Sequence, residues 1–85
     1  MFLYILKSIE HGNYYIGITQ DLENRLRKHN RGQVFSTRSR RPWDVIHKEY
    51  YNTRSAAFHR EKYLKSLKSR EALEKIITAS SSSPV

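Results

Sequence analysis

The segment from Tyr14 to His29, YYIGITQDLENRLRKH, sets a phenol, a guanidinium and an imidazole at spacings suited to chemistry on an anion. It reads as a short strand that runs into a helix. Side chains alternate along an extended chain, so Tyr14, Ile16 and Ile18 face one way while Tyr15 and Gly17 face the other. Gly17 has no side chain, and a ligand is expected to approach the backbone there, beside Tyr15. In the helix, Arg25 and His29 are four residues apart and stack on one face, next to the stripe of Leu22 and Leu26. Tyr15, Arg25 and His29 are thus expected to converge at one end of the strand–helix unit.

These residues form part of a longer pattern. Phe2-Leu3-Tyr4 precedes Tyr15-Ile16-Gly17, and Arg25 follows Gly17 by eight residues within D-L-x-x-R-L-x-x-H. Over roughly residues 2 to 68 the chain resembles the GIY-YIG nucleases, in particular their small stand-alone bacterial branch. The resemblance implies a nuclease domain over 1–78 and a site built from Tyr4, Tyr15, Arg25 and His29. It also implies a metal-binding glutamate, since Arg60-Glu61-Lys62 looks like the family's glutamate motif in the helix after the third strand. Residue pattern alone leaves Glu61 open. It lies at the margin of an apolar arc of Ala56, Ala57, Arg60, Leu64 and Leu67, where a carboxylate needs a cation. That cation is either a neighbour such as Arg60, Lys62 or Lys65, or a metal.

One carboxylate with water completing the shell suits Mg2+ or Mn2+, which take their remaining ligands from substrate phosphate. Zinc fits poorly, because there is no cysteine and the four histidines (His11, His29, His47, His59) show no paired ligand spacing. Phosphodiester hydrolysis requires a base for water, charge neutralisation on the phosphoryl oxygens and stabilisation of the departing oxygen. Arg25 presents a planar fork of donors to phosphate. Tyr15 is the expected base, with Tyr4 and His29 orienting water or phosphate. His29 is the other candidate base, its ordinary pKa being better matched to neutral pH.

The chain departs from the family pattern at three points. Phe2-Leu3 stands in place of Gly-Ile, Ile18 stands where some members carry a lysine, and no asparagine follows Asn52. The first concerns packing. The second makes a lysine base there unavailable, and the third, with the lack of a second DNA-binding domain in the sequence, favours a second reading: a nucleic-acid-binding accessory module, for DNA or RNA, with weak or no catalysis.

Charge supports a polyanionic partner under either reading. The 85 residues carry 16 Lys and Arg against 8 Asp and Glu, a net +8. Between Asn24 and Trp43 stand seven basic residues (Arg25, Arg27, Lys28, Arg31, Arg38, Arg40, Arg41) and no acidic one. Phosphates neutralised by such a run release condensed counterions, so Arg27, Lys28, Arg31, Arg38, Arg40 and Arg41 are expected to bind nucleic acid, DNA first. A solvated basic surface is the plainer alternative. With no cysteine, no membrane-length apolar run and no signal-peptide pattern, a cytoplasmic protein is expected. A homodimer or a partner protein is left open.

The elements that must position these groups follow from local pattern. Phe2 to Lys7 is apolar on both parities, as in a strand covered on both faces. Glu10-His11-Gly12-Asn13 is a tight turn, with Gly12 and Asn13 tolerating positive φ, and the second strand returns antiparallel through Tyr14 to Ile18. Thr19 or Asp21 caps the first helix, and Gly32 stops it. Gln33 to Pro42 is a loop long enough to suggest function. Trp43 to Tyr51 is the third strand, with Trp43 either core or a base-stacking residue. Asn52 or Thr53 opens a second helix to about Lys68, and a third runs from Ser69 to Thr78. The Ser-rich tail 79–85 is expected to be disordered. The fold class is α+β, a small three-stranded antiparallel sheet flanked by helices.

Overall fold

The computed structural model describes residues 1–67 and 69–81. The first strand, β1 (Phe2–Ser8), pairs with β2 (Tyr14–Thr19) through a turn in which Gly12, at φ 75°, is left-handed. Asn13 is not, since no residue other than glycine has positive φ among the described residues. Helix α1 (Leu22–Asn30) follows, then the loop with a short 3-10 turn at Arg38–Arg40, then β3 (Trp43–Tyr50), α2 (Arg54–Ser66) and α3 (Arg70–Ser81). Strand order is β2-β1-β3, all antiparallel, which places β1 in the centre and explains its apolar content on both parities.

Local signals set the helix starts. Asp21 accepts from the Asn24 amide at 3.1 Å and caps α1, and Thr53 does the same for Ala56 at 3.1 Å and α2. Gly32, at φ 78°, follows the end of α1. In β3 the pairing slips by one residue, Ile5 facing His47 and Leu6 facing Val45, which is the source of the imperfect alternation in that strand. Helix α2 ends at Ser66, short of Lys68, and Lys68 lies outside the described residues. Helix α3 continues to Ser81, past the expected end at Thr78, so the expected disordered tail survives as an expectation only for 82–85, which lie outside the described residues.

Helices cover both faces of the sheet. On one face Leu3, Ile5 and Ile16 pack with Leu64 of α2 and Leu73 of α3, and Tyr14, Ile18, Ile46, Ile76 and Ile77 close the edges. On the other face Tyr4, Leu6 and Trp43 pack with Tyr15, Val45, and Leu22 and Leu26 of α1. Arg60, placed by periodicity on the apolar arc of α2, instead meets Glu49 of β3 through both Nε (3.1 Å) and Nη2 (3.3 Å). His47 and the Tyr51 hydroxyl also bond that carboxylate. Burial pushes the Glu49 pKa up, but the Tyr51, His47 and Arg60 bonds outweigh it and hold it below the usual carboxylate range. Ala56, expected on the same arc, is exposed.

Candidate active site

The register of β1 and β2 builds the floor of the site. Tyr4 stands opposite Gly17 and on the face of Tyr15, with the two phenol rings 6.3 Å apart. The space that glycine leaves is taken: a Cβ on Gly17 would sit 2.6 Å from the Tyr4 Oη and 2.7 Å from its Cζ. Gly17 therefore admits the Tyr4 ring, and the expected ligand approach to the backbone at Gly17 is corrected. The glycine is required by packing between strands rather than by a ligand.

Helix α1 brings His29 and Arg25 onto these phenols. His29 is completely buried, its ring 4.9 Å from Tyr15 and 5.9 Å from Tyr4. Its Nε2 lies 3.0 Å from the Tyr4 hydroxyl and its Nδ1 2.8 Å from Thr37 Oγ1. Bond directions follow from Thr37, whose hydroxyl proton points to the Val34 carbonyl at 3.4 Å. Its oxygen therefore accepts from His29 Nδ1–H, and the Nε2 of the neutral ring accepts the Tyr4 proton. The Arg25 guanidinium has donors only and acts on the Tyr4 oxygen and, more weakly, on Tyr15. Burial, reinforced by the Arg25 charge, lowers the His29 pKa to about 4. His29 is thus neutral at pH 7.

Burial also raises the Tyr4 pKa, with Arg25 opposing and Tyr15 and Glu61 adding to the rise. Tyr4 stays protonated at neutral pH and serves as a hydrogen-bonding group. The bond to Tyr4 raises the Arg25 pKa against its own desolvation, and Tyr15 adds to it. Arg25 Nε is buried without a hydrogen-bond partner, a donor left over from the contacts its own fold provides.

Glu61 reaches this cluster from α2. Its charge acts on the Tyr4 hydroxyl as the weakest of the influences there, opposite in sense to that of Arg25. The Glu61 side chain is 13% exposed, and Lys65 Nζ lies 3.2 Å from its Oε2. The i,i+4 partner anticipated from sequence is therefore present. Among the described residues no group of three His, Cys, Asp or Glu side chains stands together as a metal cage. Glu61 is the carboxylate that borders the site.

Tyr15 and His29 thus pack about the Tyr4 phenol, Arg25 and Glu61 act on it through charge, and the basic run lies on the surface. Arg27, Lys28, Arg31, Arg38 and Arg40 are exposed. Arg41 is exposed too, but its Nε donates to the Arg38 carbonyl at 2.8 Å and its guanidinium packs against Gly32, so it braces the loop. Trp43 is 4% exposed, and its Nε1 donates to the Thr37 carbonyl at 2.8 Å, which removes base stacking as its role. Thr37, 1% exposed, escaped the sequence reading. Nothing in the local pattern separates it from Ser36 or Ser39, because its importance comes from contact with a residue on α1.

Comparison with known proteins agrees with this architecture. A model of the GIY-YIG catalytic domain matches residues 1–75. The chain belongs to the GIY-YIG family. Curated relatives include UPF0213 proteins of Staphylococcus aureus strains Mu3 and N315, each 38% identical over 76 residues that span 88% of this chain and 92% of the relative. Among solved structures, the solution NMR structure of a UPF0213 protein from Bacillus halodurans is similar at a TM-score of 0.59 and 29% identity, covering 92% of this chain and 82% of that one. The α+β fold with a three-stranded antiparallel sheet is that of this GIY-YIG relative. Membership implies a nuclease family and a nucleic-acid partner. No described helix is long and apolar enough to cross a membrane.

Proposed function

We propose that this chain is a metal-dependent endonuclease that hydrolyses DNA phosphodiester bonds, acting on structure or backbone rather than on base sequence. One observation supports the reading: the charges of Arg25, on α1, and Glu61, on α2, both act on the Tyr4 hydroxyl beside Tyr15. A module that only binds phosphate has no need of a mostly buried carboxylate at that place, where it repels the ligand.

The chain's own residues divide the work. Arg25 holds a non-bridging phosphate oxygen and neutralises the charge that grows in the transition state. Tyr4, its proton committed to His29, keeps its oxygen toward Arg25 and fixes the guanidinium's orientation. His29, tied by Thr37, fixes Tyr4 in turn. That leaves Tyr15, partly exposed beside them, as the phenol that takes a proton from the attacking water. His29 is the weaker candidate for base, since it is buried and both its nitrogens are engaged.

The donor set fits a hard divalent ion. Glu61 is a single, mostly shielded carboxylate without neighbouring protein ligands among the described residues, the arrangement expected where Mg2+ or Mn2+ takes its other ligands from water and phosphate. When bound, such an ion supplies charge neutralisation at the departing oxygen and a non-bridging oxygen. Lys65 competes for the same carboxylate, and this one contact favours the second reading, a nucleic-acid-binding accessory module in which Glu61 is simply an ion-paired helix residue.

Labelled branched, nicked and single-stranded DNA, incubated with Mg2+, Mn2+ or EDTA, separates the two. Metal-dependent cutting is expected, with losses of at least about a hundredfold in Glu61→Ala and in Arg25→Ala. Cutting that survives EDTA or Glu61→Ala would sink the nuclease assignment. Binding without metal-dependent cutting on every substrate would establish the accessory module instead.

A further inference from the structure

The loop between α1 and β3 carries an aromatic ring that the proposed reaction does not use. Phe35 is 81% exposed, the highest value among the large apolar side chains described. A single solvated phenyl is ordinary by itself. Here three further features give it a direction. The Arg38 guanidinium sits 4.8 Å from the ring centroid, covering one face and leaving the other to water. From Arg25 onward, the loop and the helix before it carry seven cations and no carboxylate, so a polyanion is the matching occupant. And the ring stands on a fixed base: two residues on, buried Thr37 bonds His29 Nδ1 with its hydroxyl and Trp43 Nε1 with its carbonyl.

Phe35 is therefore displayed from a support that touches the same imidazole as Tyr4. A nucleic-acid strand held by Arg38 and Arg40 would lie along the loop that carries this ring. Bases in continuous duplex have both faces covered by their neighbours, whereas an unpaired base has a free face to offer. We propose that Phe35, backed by Arg38, is a stacking platform for an unpaired nucleobase, so that this chain favours nucleic acid with unpaired nucleotides at the site over continuous duplex. The proposal rests on the nucleic-acid reading above and adds the substrate class to it.

The test is equilibrium binding in EDTA, where no cutting occurs, of a single-stranded oligonucleotide containing 2-aminopurine and of its blunt duplex, over a range of salt. Wild type is expected to bind the single strand more tightly and to quench the probe by stacking. Phe35→Ala is expected to lose about fivefold on the single strand, the low end for one base–aromatic stack, with little change on duplex and an unchanged salt slope. Phe35→Trp should restore binding, and Arg38→Ala should lower the salt slope by about one. Phe35 is on the surface, so these variants are expected to keep the wild-type circular dichroism. Equal losses on both substrates, or none on the single strand, would overturn the platform while leaving the endonuclease assignment intact. Wild type that bound neither substrate would remove both.

Discussion

The two faces of β1 use the same seven-residue strand in opposite ways. Toward α2 and α3 it presents Leu3 and Ile5, fully buried among aliphatic neighbours with no hydrogen bonds to satisfy. Toward α1 it presents Tyr4, equally buried, whose hydroxyl must be partnered and is, by His29 and Arg25. Burial on the first face is favourable outright, through apolar area removed from water. Burial on the second is favourable only while a chain of four residues, from Arg25 through Tyr4 and His29 to Thr37, stays in register. A small domain places its chemistry on the face whose core has obligations, and its stability on the face whose core has none.

This contrast is open to direct attack, and Ile5→Ala strikes the aliphatic face hardest. It is expected to cost about 2–5 kcal/mol in denaturant unfolding, with per-molecule cleavage by the folded fraction unchanged. A loss of specific activity without loss of stability would show that the two faces are not separable. For the polar face, acid is the probe. Folded His29 titrates near pH 4, whereas the unfolded residue takes its proton near 6.5. Stability from this group is therefore complete above pH 6.5 and declines as pH falls toward 4, by about 2 kcal/mol at pH 5. Glu49, whose folded pKa lies below its ordinary 4.5, contributes its own loss only at lower pH. A midpoint of unfolding that did not move between pH 7.5 and 5 would contradict the buried, neutral imidazole.

Tyr4→Phe keeps the ring and deletes the hydroxyl. It leaves His29 Nε2 and an Arg25 donor without their partner and is expected to cost about 1–3 kcal/mol, accompanied by a drop in cleavage larger than that from Ile5→Ala. Gly17→Ala should resemble it, since the added methyl displaces the same hydroxyl. The smallest effect belongs to the exposed cations. Arg27→Ala should weaken binding to all sequences alike and reduce the salt slope by about one, with no change in the unfolding midpoint.

Much of this arrangement was visible before any coordinates. The apolar runs at both parities in Phe2–Leu6, the turn at Gly12 and the cap at Asp21 are local signals, and each corresponds to an observed element. Tyr15, Arg25 and His29 could be grouped because they lie within one strand–helix unit. Two features resisted. Gly17 suggested an opening for a ligand, since strand pairing, not strand sequence, puts the Tyr4 ring in that space. Arg60 matched an apolar period, yet its guanidinium answers to Glu49 across the sheet, a partner eleven positions away that no helical spacing can name.

By itself, then, the sequence determined the elements, the alternation that separates an aliphatic from an aromatic face, and the excess of positive charge, because all three depend on residue type and short-range spacing. Only the tertiary structure decided that Thr37 supports His29, that His29 is neutral, and that the charges of Glu61 and Arg25 both act on one phenol. Those facts depend on burial and on contacts between α1, α2, β1 and a loop. Desolvation and hydrogen-bond pairing act through space, and they have no counterpart in the linear order of the chain.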